Sequence, residues 1–265
     1  MKRYLVIGNP ISHSLSPILH NYWIKKNKIN AVYEKKQIDQ KDLKDIVSKI
    51  KKGYINGVNV TIPFKKALIP YVDYLSPEAD TTQSINTIYV NDNKIIGHNT
   101  DIAGFELSLK KLKYDAHNKK ILILGAGGGV PSIIFALQRM KVLSITVSNR
   151  TKEKAEDLKI FFKNISIIDW GNISDFDMVI NATSVGLNKD DKMNLDFSKV
   201  ENGKFFYDVI YNPEETDFLK KGKISGNLTE NGKMMFIYQA HQAFTLWHQV
   251  MPEINDETIK ILKND

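Results

Sequence analysis

The chain has 265 residues, enough for two domains and a sizeable core, and its 42% hydrophobic and 25% charged residues suit an ordinary globular protein. The absence of cysteine excludes disulfides, thiol nucleophiles and thiolate metal sites, and the six histidines show no H-x-x-x-H spacing, so no metal is expected. The net charge of +7 comes from lysines interleaved with Asp and Glu, without a basic block, so neither a nucleic acid nor a membrane is an expected partner.

No apolar run reaches the roughly 18 residues of a spanning helix. The apolar segment after Met1-Lys2-Arg3 is too short for a signal-peptide core, so a cytoplasmic location is expected. Residues 4–7 read as a strand. Ser16-Pro17 then reads as a helix start with Ser16 at the N-cap and an inward stripe of Ile18, Leu19, Tyr22 and Trp23. A strand at 31–33 precedes a helix over 41–52 that carries Leu43, Ile46, Val47 and Ile50 and stops at Gly53. Residues 54–60 form a third strand, 86–90 and 95–96 a hairpin around Asn91-Asp92-Asn93, and 101–113 a helix.

From Lys120 the pattern becomes regular β-α-β: strand 121–124, helix 129–140, strand 143–149 and a helix from Thr151. Strands at 177–181 and 204–209 follow, then helices near 232–250 and 256–263. Such alternation implies a parallel sheet. The strand at 121–124 runs into Gly125-Ala126-Gly127-Gly128-Gly129-Val130. A glycine-rich turn that opens a helix is the Rossmann dinucleotide-binding arrangement, although Val130 stands where Gly or Ala is usual. The next strand ends in Asn149-Arg150-Thr151, with Lys152 and Lys154 beyond. A guanidinium there suits a 2′-phosphate and points to NADP over NAD. Thr151 adds a hydroxyl and a helix N-cap. Asn181-Ala182-Thr183-Ser184-Val185-Gly186 places small polar residues, Thr183 among them, where a dinucleotide lies.

In the first hundred residues, Ser12-His13-Ser14-Leu15-Ser16-Pro17 puts hydroxyls at a loop-to-helix junction, a natural carboxylate receptor. Asn59-Val60-Thr61-Ile62-Pro63-Phe64-Lys65 alternates polar residues out of a strand. Asn86 opens the hairpin, and Asn99-Thr100-Asp101 follows it. With the glycine loop, Asn149-Arg150-Thr151, Asn181 to Gly186, Asp208-Val209-Ile210-Tyr211-Asn212-Pro213 and Gly232-Lys233-Met234-Met235 through Gln239 and Gln242, these motifs resemble the shikimate dehydrogenase family over nearly the whole chain.

The resemblance implies NADP-dependent, reversible interconversion of 3-dehydroshikimate and shikimate, by a monomer or homodimer. It implies an N-terminal α/β substrate domain over 1–101 plus 237–265, a Rossmann-like NADP domain over 102–236, and a cleft between them. Ser14 and Ser16 would bind the substrate carboxylate, with Tyr211 contributing. Asn59, Thr61, Asn86, Asp101, Gln239 and Gln242 would make up the rest of the substrate site, and Lys65 and Asp101 would be the catalytic pair. The backbone at Val209 and Gly232 would lie near the nicotinamide. An NAD-dependent quinate/shikimate dehydrogenase and a non-catalytic NADP-binding regulator are the alternatives; Arg150 argues against the first and the joint presence of Lys65 and Asp101 against the second.

Overall fold

In the computed structural model, which describes residues 1–188 and 190–262, the chain forms two units. One is Met1–Gly104 with the chain from Ile237 onward, the other Phe105–Phe236. The first unit begins with β1 (Lys2–Gly8), α1 (Ser16–Lys26), β2 (Ala31–Gln37), α2 (Leu43–Lys51) and β3 (Gly57–Val60). It continues with β4 (Tyr74–Leu75), α3 (Pro77–Thr82), β5 (Thr87–Asn91) and β6 (Lys94–His98), and α4 (Asp101–Lys111) follows. The sheet order is β2-β1-β3-β5-β6-β4. β1 is paired in parallel on both sides, whereas β3, β5 and β6 run antiparallel. Asp92 and Asn93, at φ of 48° and 59°, supply the two positive-φ positions that a two-residue hairpin turn requires.

The helical spacing of α2 places Leu43, Ile46, Val47 and Ile50 in one core cluster with Leu5, Ile7, Val58, Val60 and Ile88 of the sheet. The helix α1 corrects two expectations. Its N-cap is Leu15, with no side-chain cap, so Ser16 lies one position inside the helix. Its buried face is Ser16, Leu19, His20, Trp23 and Ile24, which leaves Ile18 47% exposed and sends the Tyr22 hydroxyl to Glu257. β3 is shorter than expected, and Tyr54 lies outside it, exposed.

The second unit contains β7 (Lys120–Leu124), α5 (Val130–Arg139), β8 (Ser144–Asn149), the short α6 (Lys152–Glu156), β9 (Ser166–Asp169) and β10 (Met178–Asn181). β11 (Phe205–Asp208), α7 (Asp217–Ile224) and β12 (Leu228–Glu230) complete it. All pairings are parallel in the order β12-β11-β10-β7-β8-β9. Strand order reverses between β7 and β10, the place where open α/β sheets bind ligands at their carboxyl ends. Leu122, Leu124, Val179, Phe206 and Phe218 fill one side of this sheet.

α8 (Lys233–His248) and α9 (Asp256–Lys260) close the chain; position 263, expected to be helical, lies outside the described residues. Trp247 of α8 donates from Nε1 to the Ile88 carbonyl at 3.0 Å. A Cβ on Gly57 would stand 2.3 Å from that nitrogen, so only glycine admits the indole. Trp23 and Phe244 meet edge-on at 5.6 Å.

His20 is fully buried and stacks on Tyr33 at 4.1 Å, with neither ring nitrogen hydrogen-bonded. Burial pushes it down to about 3, and burial followed by Lys2 pushes His248 down to about 4. An unfolded histidine titrates near 6.5, so on acidification the unfolded chain binds protons that the folded one refuses. The stabilisation is complete above about pH 6.5 and is lost as the pH falls towards these depressed values. Urea unfolding is expected to show a falling midpoint between about pH 7 and about pH 5, and His20→Phe a shallower fall.

Candidate active site

In the first unit the polar groups gather where β3, β5 and the start of α4 meet. Lys65 Nζ donates to Asp101 Oδ2, and the two side chains are only 13% and 10% exposed. The other carboxylate oxygen of Asp101 accepts from Asn86 Nδ2 at 2.8 Å, and the Asp101 amide donates to Asn99 Oδ1 at 3.1 Å. Asn86 Nδ2 also lies 2.9 Å from Thr100 Oγ1 and 3.5 Å from Gln239 Oε1. Asn86 Oδ1 accepts the Thr100 amide at 2.7 Å and both the Thr87 and Thr100 hydroxyls at 3.1 Å. One amide therefore fixes the carboxylate that orients the lysine.

Asn59 sits beneath this group, 6% exposed. Its Nδ2 donates to the Asn86 carbonyl and Thr87 Oγ1, and its Oδ1 accepts the Tyr33 hydroxyl at 2.7 Å. Its hydrogen-bonding capacity is turned inward, so it braces Asn86. Thr61 is half-buried and follows β3, its amide donating to the Ile7 carbonyl. Ser14 Oγ accepts the Ser16 amide at 3.3 Å, and neither hydroxyl donates to a described residue, which leaves two donors at the head of α1. No hydrogen bond among the described residues joins these serines, or half-buried Gln242, to Lys65.

In the second unit, Gly125 ends β7 at φ 111°, and its amide donates to the Ser148 carbonyl at 2.7 Å. A Cβ there would lie 2.9 Å from the Ala182 carbonyl carbon and oxygen. A Cβ on Gly127 or Gly129 would meet nothing within 4 Å. That empty margin in front of α5 fits a group that needs close backbone approach. Ala126 is half-buried, Gly128 is exposed and Val130 is fully buried. Beyond β8, Asn149 Nδ2 donates to the Thr151 carbonyl at 2.7 Å. Thr151 occupies the N-cap of α6 without a side-chain cap bond, so its hydroxyl stays available. Arg150 and Lys154 are exposed and have no ion pair to a described residue, whereas Lys152 pairs with Asp169 at 2.7 Å. A phosphate-bearing dinucleotide fits this donor set.

Sequence reasoning did not single out Asp208 as a site residue. Its carboxylate is fully buried without a cation among the described residues, and takes Asn181 Nδ2 on both oxygens at 3.1 Å, the Thr216 hydroxyl at 2.6 Å and the Ile210 amide at 2.9 Å. Burial pushes its carboxyl up to about 6 against these hydrogen bonds. Asn181 Oδ1 in turn accepts the Thr183 amide and hydroxyl, so one buried carboxylate sets the loops after β10 and β11. Val209 donates its amide to the Asn181 carbonyl, and a Cβ on Gly232 would stand 2.1 Å from the Val209 carbonyl oxygen. Tyr211 stacks on Phe236 at 4.4 Å. Among the described residues no cluster of His, Asp or Glu suits a metal ion, and no helix is long and apolar enough to cross a membrane.

Residues 6–88 match the family model for the shikimate dehydrogenase substrate binding domain, and residues 106–213 the model for shikimate / quinate 5-dehydrogenase. The NADP(+) shikimate dehydrogenase of Pelagibacter ubique is 58% identical over 98% of each chain. The crystal structure of shikimate dehydrogenase from Aquifex aeolicus superposes with a TM-score of 0.91 at 33% identity, covering 100% of this chain and 98% of that one. The Thermus thermophilus shikimate 5-dehydrogenase, solved in complex with NADP(H) and shikimate, gives a TM-score of 0.87 at 30% identity, over 96% and 95% of the two chains.

The glycines separate folding from ligand contact. Gly125→Ala is expected to lower the thermal midpoint, because a Cβ at positive φ meets backbone. Gly127→Ala is expected to change stability by no more than about 0.5 kcal/mol while weakening dinucleotide binding. Thermal unfolding and a cofactor fluorescence titration of both variants check this.

Proposed function

The chain belongs to the shikimate dehydrogenase family, and on that premise we propose that Lys65 and Asp101 are the pair through which it interconverts 3-dehydroshikimate and shikimate. The observation that carries the assignment is their hydrogen-bonded ion pair, nearly withdrawn from solvent and held on its far side by Asn86. NADPH, when bound, supplies the hydride that reduces the carbonyl carbon. Lys65, as an ammonium, gives a proton to the oxygen as negative charge grows there; in the reverse direction the neutral amine takes it back. The Asp101 carboxylate aims Nζ, since its own position is held at Oδ1 by Asn86 and at the backbone by Asn99.

The first unit is the substrate side. The hydroxyls of Ser14 and Ser16, which donate to no described residue, receive the substrate carboxylate, with Tyr211 contributing. Thr61, Asn86, Asp101, Gln239 and Gln242 meet the ring hydroxyls, and Asn59 acts by holding Asn86. The second unit is the cofactor side. Gly125, Ala126, Gly127, Gly128 and Gly129 cradle the pyrophosphate, and Asn149, Arg150, Thr151, Lys152 and Lys154 take the adenosine end. Thr183, Val209 and Gly232 lie along the nicotinamide half. The working assembly is a cytoplasmic monomer or homodimer.

Lys65→Ala is expected to lower kcat about 10²- to 10⁴-fold, with a much smaller change in the shikimate dissociation constant by calorimetry. Near-normal turnover in that variant would sink the assignment. Steady-state assays pairing shikimate or quinate with NADP or NAD are expected to favour shikimate with NADP. Preference for quinate with NAD would support the alternative dehydrogenase, and inactivity with all four pairs the regulator.

A further inference from the structure

Building on the NADP reading of Arg150, we propose that Asp169 sets how tightly the cofactor's 2′-phosphate is held, by competing with that phosphate for Lys152. β8 and β9 are parallel and in register, with Asn149 opposite Asp169, so the two strands end level. Both residues are the last of their strands, at the carboxyl edge where a dinucleotide's adenosine end is bound. Lys152 is the first residue of α6, two positions beyond Arg150, and reaches back so that its Nζ donates to Asp169 Oδ1 at 2.7 Å. The backbone of Asp169 is tied in turn to β8, its carbonyl accepting the Ser148 hydroxyl at 3.4 Å.

Three cations therefore follow β8, and they are not equivalent. Arg150 and Lys154 have no acidic partner among the described residues, whereas Lys152 is committed to a carboxylate. The hydrogen bond to Asp169 and then its charge raise the Lys152 pKa above that of an ordinary lysine, so the side chain stays a full cation. A phosphate entering beside Arg150 has to share Lys152 with Asp169 or displace it. A ligand without the 2′-phosphate does not compete for Lys152. Asp169 thus narrows the discrimination that Arg150 creates.

The test uses the whole protein with adenosine 2′,5′-bisphosphate and adenosine 5′-monophosphate as probes, titrated by calorimetry. The readout is the ratio of the two dissociation constants, which cancels effects common to both ligands. Asp169→Asn, at an exposed position, is expected to raise the preference for the bisphosphate about two- to fivefold, the scale of one surface ion pair. In a Lys152→Gln background the same substitution is expected to leave the ratio unchanged. An unchanged or reduced preference in Asp169→Asn would overturn the proposal, because the carboxylate would then be idle or would be holding Lys152 ready for the phosphate. An equal rise in both backgrounds would also overturn it, assigning the effect to the carboxylate's field alone. If the parent protein binds both probes alike and Arg150→Ala changes neither, the cofactor reading itself fails and the competition falls with it.

Discussion

The side chain of Asn86 is the point on which the first unit's buried polar network depends. A single amide bonds the Asp101 carboxylate, the Thr100 amide and hydroxyl, and the Thr87 hydroxyl, and reaches Gln239. Its own backbone carbonyl is held by Asn59 and the Val60 amide. The group is buried, where an unmet polar atom is costly, so each member stays in place because its neighbours do. Lys65 benefits without being part of the lattice: it is long and flexible, and what confines it is the carboxylate at its tip.

The second unit solves the same problem with a different device. Asp208 is as buried as any charged group among the described residues, yet its partners are an amide, a hydroxyl and a backbone N–H. A carboxylate without a counter-ion strains towards protonation and is tolerable only while every oxygen is occupied. It ties together loops that leave two adjacent strands. At Asp101, by contrast, a cation occupies one carboxylate oxygen and a neutral amide the other.

Much of this was legible in the residues. The regular alternation after Lys120 implied a parallel sheet because the apolar run of β7 leads into the amphipathic α5 and on to β8. The glycine loop and Arg150 carry their chemistry in their own identities. What periodicity cannot show is β4, β9 and β12, which are two to four residues long and have no pattern to detect. The helix α1 starts one residue earlier than a Ser16 N-cap implies, because the loop puts Leu15 at the N-cap, and a serine's capping ability does not reveal that geometry. Lys65 and Asp101 are joined only by the folded sheet, so the pairing came from resemblance to a family. The burial of Asp208 left no trace, since an aspartate at the end of a strand looks the same whether or not water reaches it.

Trp247 gives the order of synthesis a structural meaning. The indole that fills the space left by Gly57 and satisfies the Ile88 carbonyl comes from the last stretch of the chain, whereas its partners lie in the first hundred residues. Until that helix leaves the ribosome, the earliest-made sheet lacks the cover that Trp247 gives it at Gly57 and Ile88. The second unit, continuous from Phe105 to Phe236, waits for nothing downstream. A nascent chain of this protein therefore completes its middle before its beginning, with the N-terminal sheet exposed longest to chaperones, proteases and mispairing.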